Sequence, residues 1–542
     1  MMKQWGTLVI MALSMFIIVI DTTIMNVSIS ALVEDLDTTV VGVQSAISIY
    51  ALVMAAFILI ASKLSNMYGK KKMFVLGLIV YGIGTLTASF STTIGMLIVG
   101  WSIIEGLGGA MMLPNINTIL REKYEGKARA TAYGVVGAVA AVGAALGPII
   151  GGLFTTYLSW RWAFRMEVAV VIIVLFMVGY LAKDVLPDKR PKFDWVGSVL
   201  SVFGWSSIVL GVISAQKFGF WLAEEPFFIG GREISPFGLS IAPVLVMLGV
   251  LSIMGLFKWE RKLENEGNEG LFGPSLFKNE GIRSGFLTRT THTFMMAAFL
   301  YLIPLMLQLS FGYNAIETGL ALLPFSLGVL VAALLGARMS SKHYANRIIQ
   351  WGFLICTGGL GMIAASITTE ASASELVLGG IFGIGAGLIA SQIINLILSS
   401  VEEKDSNETA GLTSTFEQLG NAMGVALIGA MMLTTLSAGI NSDITESTIL
   451  ASEDKAPLIE YVDSSIQLMS NTDIETGLEA SNATAEESAE LFKIYDESRT
   501  NAFKSGVGLL VFVSLLGLML SFGLPKRKLV TTDTDHMEVT SG

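Results

Sequence analysis

Apolar runs of about twenty residues, the length that crosses a ~30 Å hydrocarbon layer as a helix, recur along this chain from end to end. They predict fourteen spans: residues 6–30, 40–61, 73–90, 94–120, 131–158, 163–182, 195–215, 236–257, 286–310, 316–337, 348–366, 375–400, 408–436 and 504–524. One soluble core could not bury that much apolar surface, so the pattern predicts an all-α membrane protein. The first run holds Asp21 and no small-residue cleavage site, and it reads as a retained helix, not a signal peptide.

Charge then orients the spans. Only 14% of the 542 residues are charged, against 53% apolar, and the charges are sorted by side. Basic residues gather at 63–72, 121–129, 183–192, 258–289, 338–347 and 526–528, all on one face of the predicted bundle. Counting Lys3 and Lys404, that face holds 26 of the 34 Lys and Arg. The positive-inside rule makes it cytoplasmic, with both termini there and the chain in the cell membrane. The opposite face carries the loop 437–503, with 14 Asp and Glu against Lys455, Lys493 and Arg499. Its net −11 exceeds the formal −10 of the whole chain, so the membrane body is near neutral. That loop could be a solvated hairpin, a set of short amphipathic helices, or a lid over an outer entrance.

Several chemistries lack support. Cys356 stands alone in an apolar run and reads as a packing residue, and His292, His343 and His536 supply no metal-ligand cluster. There is no Gly-x-x-x-x-Gly-Lys phosphate loop and no Gly-x-Ser-x-Gly elbow, so neither a nucleotide-driven pump nor a common hydrolase is indicated. No enzyme activity, cofactor, nucleic acid or obligate protein partner is inferred. An ion gradient is the driving force left. A faint repeat, Lys63-Leu64-Ser65-Asn66 after span two and Arg338-Met339-Ser340-Ser341 after span ten, divides the chain. It predicts six-helix halves at 1–185 and 278–542, with a two-helix insert and linker at 186–277.

Span five reads Gly143-Ala-Ala-Leu-Gly147-Pro148-Ile-Ile-Gly151-Gly152. Glycines at i, i+4 and i+8 leave a groove for a neighbouring helix, and Pro148 removes one backbone hydrogen bond and permits a bend. The segment therefore suits a hinge at a moving interface.

This string is similar to the antiporter motif of the major facilitator superfamily, and residues 15–435 resemble its fourteen-helix drug:proton antiporter branch. Further matches are Ile20-Asp21-Thr22-Thr23-Ile24-Met25-Asn26-Val27, Ser159-Trp160-Arg161-Trp162-Ala163-Phe164 and Phe193-Asp194-Trp195-Val196-Gly197. Gln308, Gly312-Tyr313, Gly319, Pro324, Gly411 and Gln418-Leu419-Gly420 continue the likeness in the second half. The resemblance implies a major-facilitator-type fold and export of small amphipathic compounds against proton influx, with the bilayer, a small-molecule substrate and protons as partners.

The departures bear on coupling. The loop motif GxLaDrxGrk becomes Ser62-Lys63-Leu64-Ser65-Asn66-Met67-Tyr68-Gly69-Lys70-Lys71, in which Asn66 can cap a helix but brings no charge to the cytoplasmic gate. In span four the family's RxxQGxG becomes Ser102-Ile-Ile-Glu105-Gly106-Leu-Gly108, with an acid and no arginine. Glu417 in span thirteen also stands where the branch commonly has arginine.

An ionised carboxylate in hydrocarbon costs at least ~2.5 kcal/mol and is normally turned to a cavity or a partner. Glu105 lies roughly 17 Å along its span at ~1.5 Å per residue, near the midplane where a substrate site is expected. Asp21 falls in the outer half. These two, with Glu417, are the candidate proton-coupling or substrate-contacting acids. Gln392 and Asn395 in span twelve line a cavity or bond between helices. Arg165 and Glu167 read as an ion pair or interfacial groups, and His292 as a helix contact. Two rival functions remain: export of an endogenous metabolite, and a non-transporting sensor or scaffold.

Overall fold

The protein is described by a computed structural model covering residues 2–184, 192–222, 227–229, 232–233, 238–340, 342–368, 377–402, 405–465, 467–481 and 483–527. Most of the basic loop at 183–192, and Ser341, Lys404, Lys528 and His536, lie outside the described residues. Among the described residues, thirteen helices are long and apolar enough to span a membrane, and a fourteenth span is a pair of helices bent by 41°.

The first six spans are α1 (Met2–Val27), α3 (Val40–Tyr68), α4 (Lys70–Ser89), α5 with α6 (Ile94–Leu97 and Gly106–Lys123), α7 (Gly126–Tyr157) and α8 (Arg161–Met177). A short α2 (Ile29–Asp35) follows α1. Between α5 and α6 the chain runs as a π-helix, Ile98–Glu105, which composition does not reveal. Spans seven and eight are α9 (Trp195–Phe218) and α10 (Ile241–Asn265). They are joined through β1 (Phe228–Ile229) and β2 (Arg232–Glu233), an antiparallel pair in the register Phe228 to Glu233, a small departure from an all-helical chain. The last six are α11 (Glu280–Phe311), the bent pair α12 (Ala315–Ala321) and α13 (Leu323–Met339), α14 (Ala345–Ser366), α15 (Gly379–Leu398), α16 (Ser406–Glu446) and α19 (Ala485–Ser521).

Side chains at the helix starts explain several boundaries. Thr39 accepts from Gly42 N at 3.1 Å, Asn279 from Gly281 N at 3.0 Å, and Asn314 forms a capping box with Glu317 at the start of α12. Asp194 caps α9 and also accepts from the Trp259 indole at 2.9 Å, tying the two inserted helices together at the basic face. The break between α12 and α13 comes one residue before Leu323-Pro324, where proline suits a first helical turn.

Small residues set the packing. A Cβ on Gly383 or Gly387 would lie 2.2 or 2.3 Å from a backbone oxygen of α13, so only glycine lets α13 and α15 meet there. Gly420 and Gly424 give α16 the same close approach to α11. Helices α3 and α16 run together, and α9 rests on both. Gln44 of α3 donates to Val425 O at 2.8 Å and accepts from Tyr301 at 3.0 Å, binding α3 to α16 and α11 through buried polar groups.

The acidic segment is helical. Span thirteen continues to Glu446 and the last helix begins at Ala485, with α17 (Ser452–Ser465) and α18 (Asn471–Glu479) between them. Short helices, not a plain hairpin, make up its described residues. Fully buried Arg499 anchors it, donating to Leu309 O at 3.1 Å and Met469 O at 2.8 Å and bonding Asn471 and Asp496.

Candidate functional site

Three acids from three helices meet inside the first six spans. Asp21 comes from α1, Glu105 from the end of the π-helix and Glu167 from α8, and carboxylate oxygens of all three lie within 4.8 Å of one another. Their exposures are 1%, 0% and 1%, so the cluster is sealed from the surroundings. Gly84 makes the approach possible, because a Cβ there would lie 2.3 Å from Glu105 N. Ser102, where the family's arginine is expected, turns back and donates to Ala46 O at 2.7 Å.

The surroundings supply dipoles, not charge. Asp21 accepts the Trp101 indole N–H at 2.9 and 3.0 Å, and Glu167 accepts the Tyr81 hydroxyl at 3.0 Å. Both carboxylate oxygens of Glu105 lack a hydrogen-bond partner among the described residues. Tyr50 stacks on Trp101 with ring centres 5.3 Å apart, closing one side. Among the described residues no Lys, Arg or His forms an ion pair with any of the three acids. Like charges so close and so dry require protons or a bound cation to neutralise them.

Glu167 corrects the sequence reading. Arg165 packs its guanidinium over the Trp162 ring, 4.9 Å from the centroid, while Glu167 points inward. Residues two apart on a helix do not face each other, a signal already in the spacing. Trp101, Tyr81 and Tyr50 were also missed, because an aromatic in an apolar run looks like ordinary packing.

The other candidates lie apart from this cluster. Glu417 pairs with Arg289 of α11 at 2.7 Å, so the second half has its arginine on a neighbouring helix. His292 contacts Arg289 at 3.3 Å and Ala386 O at 3.1 Å, as a helix contact does. Gln392 donates to Gly336 O at 2.9 Å, the interhelical alternative, and Asn395 is exposed.

The glycine string of α7 serves two neighbours. Gly143 rests against Phe16 and Val19, Gly147 against Ile20 and Thr23, and Gly151 against Ile24, so its face grips α1 on both sides of Asp21. Gly152 faces α12, where a Cβ would lie 2.5 Å from Ala315 O, and Gly319 of α12 has Pro148 O at 2.3 Å from its own Cβ position. Thr156 accepts from Ile316 N at 3.1 Å beside them, and Gln308 ties α11 to Val27 O at 2.9 Å and to Ser30 N at 3.1 Å. These ties all lie towards the face that carries the acidic segment. Towards the basic face, positions Gly134 and Gly137 of α7 meet nothing within 4 Å.

The loop after span two is built differently from expectation. Asn66 is exposed within α3 and caps nothing; the start of α4 has no side-chain cap at Gly69. Asp184, remote in sequence, accepts from Lys71 N at 2.7 Å and Lys72 N at 3.1 Å and supplies the missing carboxylate. Gly69 has φ +107°, and a Cβ there would collide with that carboxylate. Lys70 pairs with Glu122, Lys71 donates to Leu181 O at 3.0 Å, and Lys63 pairs with Glu269 at 2.8 Å.

The family model described as Major Facilitator Superfamily matches residues 11–425. Among curated proteins, the chain is 24% identical over 454 residues to a probable actinorhodin transporter of Streptomyces coelicolor, covering 82% of this chain and 75% of that one. It is 28% identical over 451 residues to a cephamycin export protein of Amycolatopsis lactamdurans, covering 81% and 86%. A bacterial homologue of the human lysosomal transporter Spinster, solved inward-facing and occupied, shares the fold at TM-score 0.59 and 16% identity over 97% of this chain and 98% of that one.

Proposed function

This chain belongs to the Major Facilitator Superfamily and is a multi-pass membrane transporter, and from that premise we propose that it exports small amphipathic, drug-like compounds in exchange for protons. The observation that carries the reading is the placement of Asp21. It is buried with two further acids and, among the described residues, no basic partner, on the stretch of α1 that the glycines of α7 grip. The same helix α7 touches α12 through Gly152. A change at the contact between α7 and α12 is thereby coupled mechanically to the acids, which is what exchange of a proton for a substrate needs. The similarity to a cephamycin export protein and a probable actinorhodin transporter supports the substrate class.

In this reading residues 1–185 and 278–542 form two halves that rock about the α7–α12 contact, and 186–277 is an insert. Both termini and the basic face are cytoplasmic, in the cell membrane, and the acidic helices lie outside. The ties at the acidic face and the open surroundings of Gly134 and Gly137 then correspond to a state closed outside and open inside. Asp21 and Glu105 take up and release protons. Glu417 with Arg289, and Gln392, hold the second half in register, and Lys63, Lys70 and Lys71 fasten the cytoplasmic loop. Glu105 at a position where relatives of this branch carry a different motif favours one second reading: export of an endogenous metabolite with another coupling ion.

Inverted vesicles with an imposed pH gradient test the proposal. Substrate-dependent dissipation of the gradient is expected for the intact protein and its loss for Glu105→Gln and Asp21→Asn. Absence of such flux across a broad panel of amphipathic compounds removes antiport; unchanged flux in both variants removes the residue assignment.

A further inference from the structure

We propose that Asp21, Glu105 and Glu167 form a binding site for a dehydrated hard cation of sodium or calcium size. The inference deepens the reading of this cluster as the coupling site. Three carboxylates converge within 4.8 Å, a span that a cation with metal–oxygen bonds of ~2.3–2.6 Å can bridge. All the donors are oxygens, with no Cys or His among them, which selects hard cations over zinc, copper or iron.

Two independent features point to a missing ligand. Glu105 is fully buried and both its oxygens are unpartnered, which is costly for an acid in either protonation state. Tyr50, only 2% exposed, is stacked on the Trp101 ring that holds Asp21, and its hydroxyl has no hydrogen-bond partner among the described residues. A cation at the focus of the three acids takes up the free lone pairs of Glu105, Asp21 and Glu167, and Tyr50 is placed to add a fourth oxygen. The remaining contacts are already in the form that a ligand set requires. Trp101 and Tyr81 donate to Asp21 and Glu167 and fix their orientation, as outer-shell donors do for ligating carboxylates. The nearest guanidinium on α8, that of Arg165, is held on the Trp162 ring and leaves the place open. Protons compete for the same oxygens, so the site exchanges one cation for protons as it opens to either side.

The test uses the full-length protein purified in detergent, with no substrate present, so that its result is separate from that of the export assay. Equilibrium binding of radioactive sodium and, in a second arm, radioactive calcium is measured against choline at constant ionic strength. Saturable binding of one of the two ions is expected, weakened at least about tenfold in Glu105→Gln and in Glu167→Gln. Tyr50→Phe, which keeps the ring stacked on Trp101, is expected to weaken it by up to about tenfold. Glu105→Asp, which retains the charge, keeps measurable binding and guards against loss by misfolding; size-exclusion profiles accompany each variant. Saturable binding of neither ion, or binding that persists undiminished in both Gln variants, overturns the proposal.

Discussion

The indole N–H of Trp101 bridges both carboxylate oxygens of Asp21, at 2.9 and 3.0 Å, joining span four to span one inside the buried acid cluster. Trp101 is 1% exposed and Asp21 likewise, so no water takes the place of that donor if it is lost. Trp101→Phe is expected to lower stability by about 1–3 kcal/mol, the range for a buried acceptor stripped of its partner. Thermal unfolding of the detergent-purified protein measures it. Asp21→Asn in the same background should recover part of the loss, because a neutral amide is less costly to bury.

The contact between α7 and α12 yields a second expectation. A side chain at Gly152 or Gly319 would begin 2.5 or 2.3 Å from backbone oxygen, and backbone cannot turn aside as a flexible side chain can. Gly152→Val and Gly319→Val should therefore hold the two helices apart at the acidic face and reduce transport by about tenfold or more, since small displacements of packed interfaces are not absorbed continuously. A Thr156→Cys, Ile316→Cys pair in a Cys356→Ser background reports this directly. It should cross-link readily in the otherwise unchanged protein and poorly in either Val variant.

Asp184 stands in for the acid that the loop after span two lacks. Asp184→Ala is expected to cost about 1 kcal/mol, as loss of a helix N-cap does, and to loosen the start of α4. Asn66→Asp should change stability little, because that side chain is exposed and caps nothing. Melting temperatures of the two variants separate the roles.

Arg499 holds the acidic helices down. Removing it with Arg499→Ala leaves two backbone carbonyls, Asn471 and partly exposed Asp496 without their shared donor, a loss of about 2 kcal/mol or more. The outcome to look for is faster tryptic cleavage at Lys455 and Lys493. In right-side-out vesicles the same experiment checks the proposed orientation, since protease added outside must reach both sites.

Much of this molecule was legible in its sequence because the bilayer imposes a one-dimensional rule. Any stretch of about twenty apolar residues must satisfy its own backbone as a helix, so spans, their number and the sorting of basic from acidic loops follow from local pattern. The string from Gly143 to Gly152 likewise announced a close helix contact, since glycine spacing fixes a face whatever lies opposite. The buried acids Asp21 and Glu105 were visible because charge inside hydrocarbon is rare.

Only the tertiary structure decided what faced what. Glu167 joined the acids, and not Arg165, because a turn of α8 places residues two apart on different sides. Glu105 reached them through a π-helix and the absence of a side chain at Gly84, neither of which shows in a hydropathy profile. Asp184 replaced the absent loop acid from 118 positions beyond Asn66, and Arg289 met Glu417 from another helix. The reason is common to all four: periodicity along one chain tells which residues share a helix face, whereas a site is made where faces of different helices converge.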